Sequence, residues 1–368
     1  MTDEHSSTTN AERGYSLWQL GWRPSLDEFL APYAQHYQAG RVAVEQRGQY
    51  TLYTEHGEIQ AAVAGKLIHH AGGREDYPAV GDWVIVPRSQ GEKMTVIHGI
   101  LPRTSRFTRK AAGDTSEEQI VAANIDRVFL CMGLDGDFNL RRLERYLVVA
   151  WESGALPVVV LTKADLCPDP EARIRHAASV AAGAELLAVS SYDGRGIDRL
   201  REYFTAGVTG VLLGSSGVGK SSLVNVLLGW ERQTVQEVRV SDSRGRHTTT
   251  YRELIVLPGG GLLIDTPGMR ELGILEAQDG LAAAFTEVEA WARNCRFRNC
   301  RHGREPGCAV RAAIEEGVLA PERLESYARL QREEAFAARK AAARAAMLGK
   351  VNRRGKPRVK RVEADGDG

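Results

Sequence analysis

The sequence has no long apolar run. Its most hydrophobic stretches, such as Leu156 to Leu161, fall far short of the roughly 20 residues that a membrane-spanning helix needs. No helical span and no membrane partner are therefore expected. The opening MTDEHSSTTN lacks the basic end and apolar stretch of a signal peptide, so a cytoplasmic location is expected. Internal repeats are absent, which sets aside solenoid architectures. With 43% hydrophobic and 26% charged residues, the chain has enough apolar surface to fold and resembles neither a disordered nor a membrane protein. A length of 368 residues exceeds what one core usually accommodates, so two or three domains are expected. Nothing points to a coiled coil or an obligate dimer, and a monomer is expected.

Cysteine is also scarce and unevenly placed. Cys131 and Cys167 stand alone, whereas Cys295, Cys300 and Cys308 crowd together. In a reducing compartment such a cluster indicates a metal rather than a disulfide. The net charge of +1 hides a basic tail: Lys350 to Arg361 carries seven Lys or Arg residues and no acid. Such runs are usually disordered, and nucleic-acid contact is their commonest use.

The first 35 or so residues show no sustained period and read as a mobile lead-in with one short helix near Leu26. From Gly40 to about Pro102 short alternating runs follow: Arg41 to Glu45, Tyr50 to Thr54, Ile59 to Val63, Asp82 to Pro87 and Met94 to Ile100. Turn formers separate them, predicting a small β-barrel of the OB kind or a similar sandwich. Trp83 and Tyr53 could stack on RNA bases there, although barrel core is the stronger reading of Trp83. After a basic connector (Arg103, Arg106, Arg109, Lys110), buried strands alternate with amphipathic helices, which predicts a mostly parallel sheet wrapped by helices. Beyond Gly280 come helix, the cysteine cluster, and a long helix from about Pro321 to Met347. Its Leu324, Tyr327, Leu330 and Phe336 lie near one face and should pack within the chain.

Three motifs carry chemistry. Gly214, Ser215, Ser216, Gly217, Val218, Gly219, Lys220 and Ser221, followed by Ser222, match G-x-x-x-x-G-K-S between an apolar strand and a helix, as a phosphate loop requires. Small residues let backbone N–H groups wrap phosphate oxygens, and the helix N-terminus adds its dipole. Lys220 would reach the terminal phosphates and Ser221 would place its hydroxyl on Mg²⁺. Asp265-Thr-Pro-Gly268 follows a second strand; Asp265 could hold a metal-bound water and the Gly268 N–H could sense a γ-phosphate. Finally, Thr162, Lys163, Ala164 and Asp165 close the strand at Leu161. A carboxylate there can accept from both N1–H and the N2 amino group of guanine, a donor pair that adenine lacks. Lys163 would pack along the base, and Ser190 and Ser191 resemble the loop that contacts the guanine O6. Asn is usual in place of Thr162. The base motifs precede the phosphate loop, the reverse of the order in most GTPases, so the motifs are circularly permuted.

Cys295, Cys300, His302 and Cys308 form C-x4-C-x-H-x5-C. Three thiolates and one imidazole fill a closed, structural Zn²⁺ site with no open position for catalysis. Arg296, Arg298, Arg301 and Arg304 between them would suit RNA phosphates.

Together these residues resemble the ribosome small-subunit-dependent GTPase A family (RsgA, also called YjeQ). The resemblance runs through Gly81-Asp82-Trp83, Glu118 to Ile120 with Asn124 to Asp126, Thr162 to Asp165, Gly214 to Ser222, Gly245 to Thr250, Asp265 to Gly268 and the cysteine cluster. It implies a multidomain α/β chain: a flexible extension (1–39), an OB-fold domain (40–110), a permuted GTPase domain (111–278), a helical zinc-binding domain (279–348) and a basic disordered tail (349–368). It further implies GTP hydrolysis with Mg²⁺, stimulation by the small ribosomal subunit, contact with its rRNA, and a role in late subunit maturation. Gly245 to Thr250 should be switch I, with Thr248 or Thr249 on Mg²⁺ and the γ-phosphate, and His247 resembles the family's proposed catalytic residue. Met269 stands where many GTPases have Gln and cannot orient water, so slow unassisted hydrolysis is expected. The alternative reading is an RNA-binding scaffold whose nucleotide site hardly turns over.

Overall fold

The computed structural model describes residues 14–71, 73–88, 94–110, 118–181, 183–229, 252–265 and 278–354. The N-terminal region holds α1 (Asp27–Leu30), β1 (Tyr37–Gln46), β2 (Gln49–Thr54), β3 (Gly57–Val63), α2 (Gly65–His70), β4 (Trp83–Pro87), β5 (Thr95–Ile97) and β6 (Gly99–Ile100). Strand β1 pairs antiparallel with both β2 and β4, and β3 lies parallel to β5. Val42, Leu52, Ala61, Val84, Val86 and Ile97 close one apolar core. Val84 and Val86, two residues apart on β4, share the face that meets this core.

The lead-in is not loose where it is described. Leu20 is fully buried and the Trp22 ring meets Trp83 edge to face at 4.8 Å, which corrects the expectation of a flexible 1–39 extension for residues 14–39. Tyr53 and Trp83 are both buried, so neither is placed to stack on RNA. The basic connector is β7 (Arg106–Lys110), paired with β8 (Glu118–Ala123) in a separate two-stranded sheet. The expected boundary at 110/111 falls inside that hairpin.

The second region contains β9 (Arg127–Gly133), α3 (Leu140–Glu152), β10 (Leu156–Thr162), α4 (Pro170–Ala178), β11 (Glu185–Ala188), α5 (Ile197–Arg201), β12 (Thr209–Gly214), α6 (Lys220–Leu228), β13 (Arg252–Val256) and β14 (Leu262–Asp265). The strand order is β11-β10-β9-β12-β14-β13, parallel except for β13, and β13 pairs antiparallel with β1. One sheet thus runs without a break from the nucleotide region into the N-terminal strands. Strands β10 and β11, which follow β9, lie on one side of it, and β13 and β14, which follow β12, lie on the other side of β12. That reversal is the topological switch point where α/β sheets bind ligands.

Helices α7 (Gln278–Ala284), α8 (Thr286–Ala292), α9 (Ala309–Glu315) and α10 (Pro321–Arg354) complete the chain. They share a core with α3, Phe285 and Leu330 being fully buried. Arg323 fastens the junction: it pairs with Glu144 at 2.7 Å, donates from Nε to Glu287 at 2.6 Å and lies over the Phe285 ring. Gly280 has no room for a Cβ, which would meet the Val148 carbonyl at 2.3 Å. Phe336 is exposed, unlike Leu330 on the same helix. The helix also takes in Lys350, Arg353 and Arg354, so the basic run starts in helix and not in the disordered tail expected from residue 349. Among the described residues no helix is long and apolar enough to cross a membrane.

A buried polar knot joins the two regions. Arg41, buried against Trp83, donates to the carbonyls of Leu20, Gly81 and Asn124; burial pulls it down to about 10. Asp82, also buried, accepts from the Ala79 N–H at 2.8 Å and takes two hydrogen bonds from Arg103 at 2.8 and 2.7 Å. Gly81 sits at φ +92°, and a Cβ there would strike the Ala123 carbonyl at 2.2 Å. Removing one member of a buried ion pair strands the other. Asp82→Ala is accordingly expected to cost about 3 kcal/mol, read as a lower urea midpoint, with a smaller loss for the exposed control Asp198→Ala.

Candidate nucleotide site and metal cluster

Parallel pairing aligns the carboxyl ends of three strands. In register, Thr162 lies beside Gly133 and Gly214 beside Cys131, so the guanine motif, the β9–α3 loop and the phosphate loop emerge together. The turn from β12 into α6 is made by glycines in positive φ: Gly214 (+158°), Gly217 (+75°) and Gly219 (+99°). A Cβ on Gly214 would meet the Cys131 carbonyl at 2.4 Å, and only glycine permits that approach. Val218 is buried under the loop, whereas Ser216 and Gly217 are exposed. Lys220 Nζ donates to the carbonyls of Gly214 and Ser215 at 2.8 and 2.6 Å, which folds its side chain back over the loop. Ser221 and Ser222 occupy the first turn of α6, half-buried.

The Thr162 hydroxyl donates to the Val218 carbonyl at 2.6 Å. This bond ties the Thr162–Asp165 motif to the phosphate loop. Lys163 adopts a left-handed conformation (φ 57°) and Asp165 is exposed in the short turn that follows. Ala164 N–H donates to the Val189 carbonyl at 3.1 Å, which brings the Ser190–Ser191 loop alongside. The Ser190 hydroxyl is buried and accepts from the N–H groups of Tyr192 and Asp193 at 3.1 and 3.2 Å. Asp265 ends β14, which is parallel to β12 in a register pairing Ile264 with Val211. Its carboxylate therefore belongs to the same sheet edge as the phosphate loop. His247, Thr248, Thr249 and Gly268 lie outside the described residues.

Cys295, Cys300, His302 and Cys308 place their ligand atoms within 4.8 Å of one another. Two thiols lie 3.9 Å apart, and His302 Nδ1 is 3.6 Å from Cys295 Sγ and 3.5 Å from Cys308 Sγ. Tetrahedral zinc with bonds of about 2.3 Å to sulfur and 2.0 Å to nitrogen demands about 3.8 and 3.5 Å. The donor set and the spacing both fit. Burial pushes His302 below the ordinary histidine value, favouring the neutral imidazole that a metal needs. Arg296, Arg298, Arg301 and Arg304 around the cluster are all exposed.

A model of the RsgA GTPase family matches residues 100–275. The chain is 47% identical over 335 residues to the small ribosomal subunit biogenesis GTPase RsgA of Opitutus terrae, covering 88% of this chain and 91% of that protein. It is 42% identical to the RsgA of Streptomyces coelicolor over 95% and 96% of the two chains. The chain belongs to the RsgA GTPase family. Among solved structures, YjeQ from Thermotoga maritima matches with a TM-score of 0.61 at 26% identity, covering 81% of this chain and 98% of that one. YloQ, a circularly permuted GTPase, matches with a TM-score of 0.60 at 26% identity, covering 82% and 96%.

Sequence patterning does not single out two acids of this RsgA family member. Asp135 and Asp137, in the loop after β9, contact Lys163 and Ser215 at 2.7 Å each. The available signal was positional: acids at the carboxyl end of an apolar strand just before a capped helix.

If the cysteine cluster holds zinc, atomic absorption should find about one equivalent per chain. Cys300→Ser should lose most of it and lower the melting temperature, while Cys167→Ser should keep it.

Proposed function

We propose that this chain is a GTP hydrolase acting in late maturation of the small ribosomal subunit, binding its rRNA and stimulated by it. The observation that carries the reading is the Thr162–Val218 hydrogen bond, which draws a guanine-type motif and a phosphate loop onto one sheet edge. Backbone amides from Gly214 to Gly219 would receive the phosphates, with Lys220 on the terminal ones. Thr162 to Asp165, Ser190 and Ser191 would read guanine. Mg²⁺, when bound, supplies charge neutralisation at the phosphate oxygens. Oxygen donors suit that hard ion: the Ser221 hydroxyl, Asp265 through a water, and Thr248 or Thr249.

Hydrolysis needs an oriented water, and Met269 cannot supply the hydrogen bond. His247 takes that role in the subunit-bound protein, and the Gly268 N–H registers the γ-phosphate. Exposed arginines beside the zinc knuckle favour RNA phosphates as a partner surface. In β1 to β6 the parallel β3–β5 pair and the antiparallel β1–β2 and β1–β4 pairs support a barrel of the OB kind. The zinc is structural, the chain acts as a cytoplasmic monomer, and strands β1–β6, the sheet β9–β14 and helices α7–α10 form its three working parts.

Steady-state GTP hydrolysis, alone and with isolated small or large ribosomal subunits, tests this. Small subunits alone should raise turnover by about a hundredfold or more, and His247→Ala should abolish most of the rise. Tight GTP binding without turnover under any condition would instead favour a scaffold.

A further inference from the structure

The loop between β9 and α3 grips both nucleotide motifs through two carboxylates. Asp135 accepts from Lys163 Nζ at 2.7 Å through one oxygen and from the Asp137 N–H at 3.0 Å through the other. The Asp137 carboxylate accepts the Ser215 hydroxyl, with its two oxygens at 2.7 and 2.8 Å. It also accepts the Gly133 N–H at 3.3 Å and pairs with Arg142 at 2.7 Å. Asn139 caps α3 by accepting from the Arg142 N–H at 3.0 Å, and Arg142 further donates to the Asp137 carbonyl. The loop is thus a small rigid unit built on the helix start.

Carboxylates beside a phosphate site would repel a polyanion unless neutralised. Here each has its own cation: Lys163 for Asp135 and Arg142 for Asp137. Burial alone would raise Asp135, but the Lys163 hydrogen bond and charge outweigh it, and the group lies below the usual carboxylate range. It stays ionised and keeps its hold at neutral pH. Lys163 also sits in left-handed backbone, where an L-residue is disfavoured by roughly 1–2 kcal/mol. Its side-chain direction therefore benefits from a fixed partner. Both acids remain partly exposed, at 30% and 21%, so their bonds serve the two motifs rather than the core.

We propose that Asp135 and Asp137 are positioning residues that brace Lys163 and Ser215 at a fixed separation, preorganising the site for guanine nucleotide without touching it. The inference rests on the GTP-site reading above. Preorganisation lowers the ordering cost of binding, so its loss appears in affinity for GDP and GTP alike.

The test uses the full chain, a fluorescent GDP analogue, steady-state hydrolysis and urea denaturation. Asp135→Ala and Asp137→Ala should each weaken binding about tenfold, with the effect in KM rather than kcat and a denaturation midpoint near that of the parent. Asp137→Asn keeps an acceptor for Ser215 and should recover most of the affinity. Adding Ser215→Ala to Asp137→Ala should cost little more, because the two share one interaction. Unchanged affinity, fully additive losses, or losses that track the urea midpoint would overturn the brace. If the parent chain binds nucleotide and Asp137→Ala binds as tightly, the brace alone fails. If the parent binds no guanine nucleotide, the GTP-site reading fails and the brace falls with it.

Discussion

Strand β9 is hydrogen-bonded in parallel to β10 on one side and β12 on the other, and the nucleotide site depends on that shared neighbour. Parallel strands carry their carboxyl ends to one edge. Whatever follows β9, β10 and β12 must therefore meet, regardless of which is reached first along the chain. This is why a permuted order leaves the site intact. Permutation changes which segments are covalently joined, not which strands are adjacent. The Thr162–Val218 bond and the two aspartates after β9 are short-range consequences of that alignment.

The same sheet also ties the N-terminal strands to the nucleotide region. Strand β13 is antiparallel to β14, whose last residue is Asp265, and equally antiparallel to β1. A displacement of β13 would be felt by β1 through backbone hydrogen bonds, which are hard to stretch. The Arg41 and Asp82 knot makes that contact stiff, because a buried guanidinium and a buried carboxylate both need their partners in place. On the opposite side α3 carries the coupling. Its start is the aspartate loop, and its Glu144 meets Arg323 of α10 in a buried pair at 2.7 Å. Close behind Asp265 along the chain, α7 is seated on α3, with the Gly280 N–H on Glu152 at 2.8 Å. Both flanks are thus attached to elements that lead directly into the nucleotide site.

What was legible in the sequence was whatever depends on local spacing. The phosphate loop announces itself because its glycines must adopt conformations closed to other residues, and they do. Cys295, Cys300, His302 and Cys308 are close in sequence, so four donors at short spacing nearly determine a metal site, and the observed separations fit one. Strand and helix order follows from hydrophobic period, and the elements from β9 to β14 do alternate between strand and helix up to α6.

What only the tertiary structure decided involves contacts between residues far apart in the chain, which carry no local period. Leu20 and Trp22 look like a stray lead-in because their apolar partners, Trp83 among them, lie some sixty residues away. The β13–β1 pairing joins strands two hundred residues apart, and edge complementarity between strands has no signature in either one. Asp135 and Asp137 read as ordinary loop acids until Lys163 and Ser215 arrive beside them. The sequence by itself determined the chemistry of each motif, because backbone conformation and ligand type are local properties. The distance at which the motifs are held was decided by the sheet, because that distance is a property of packing.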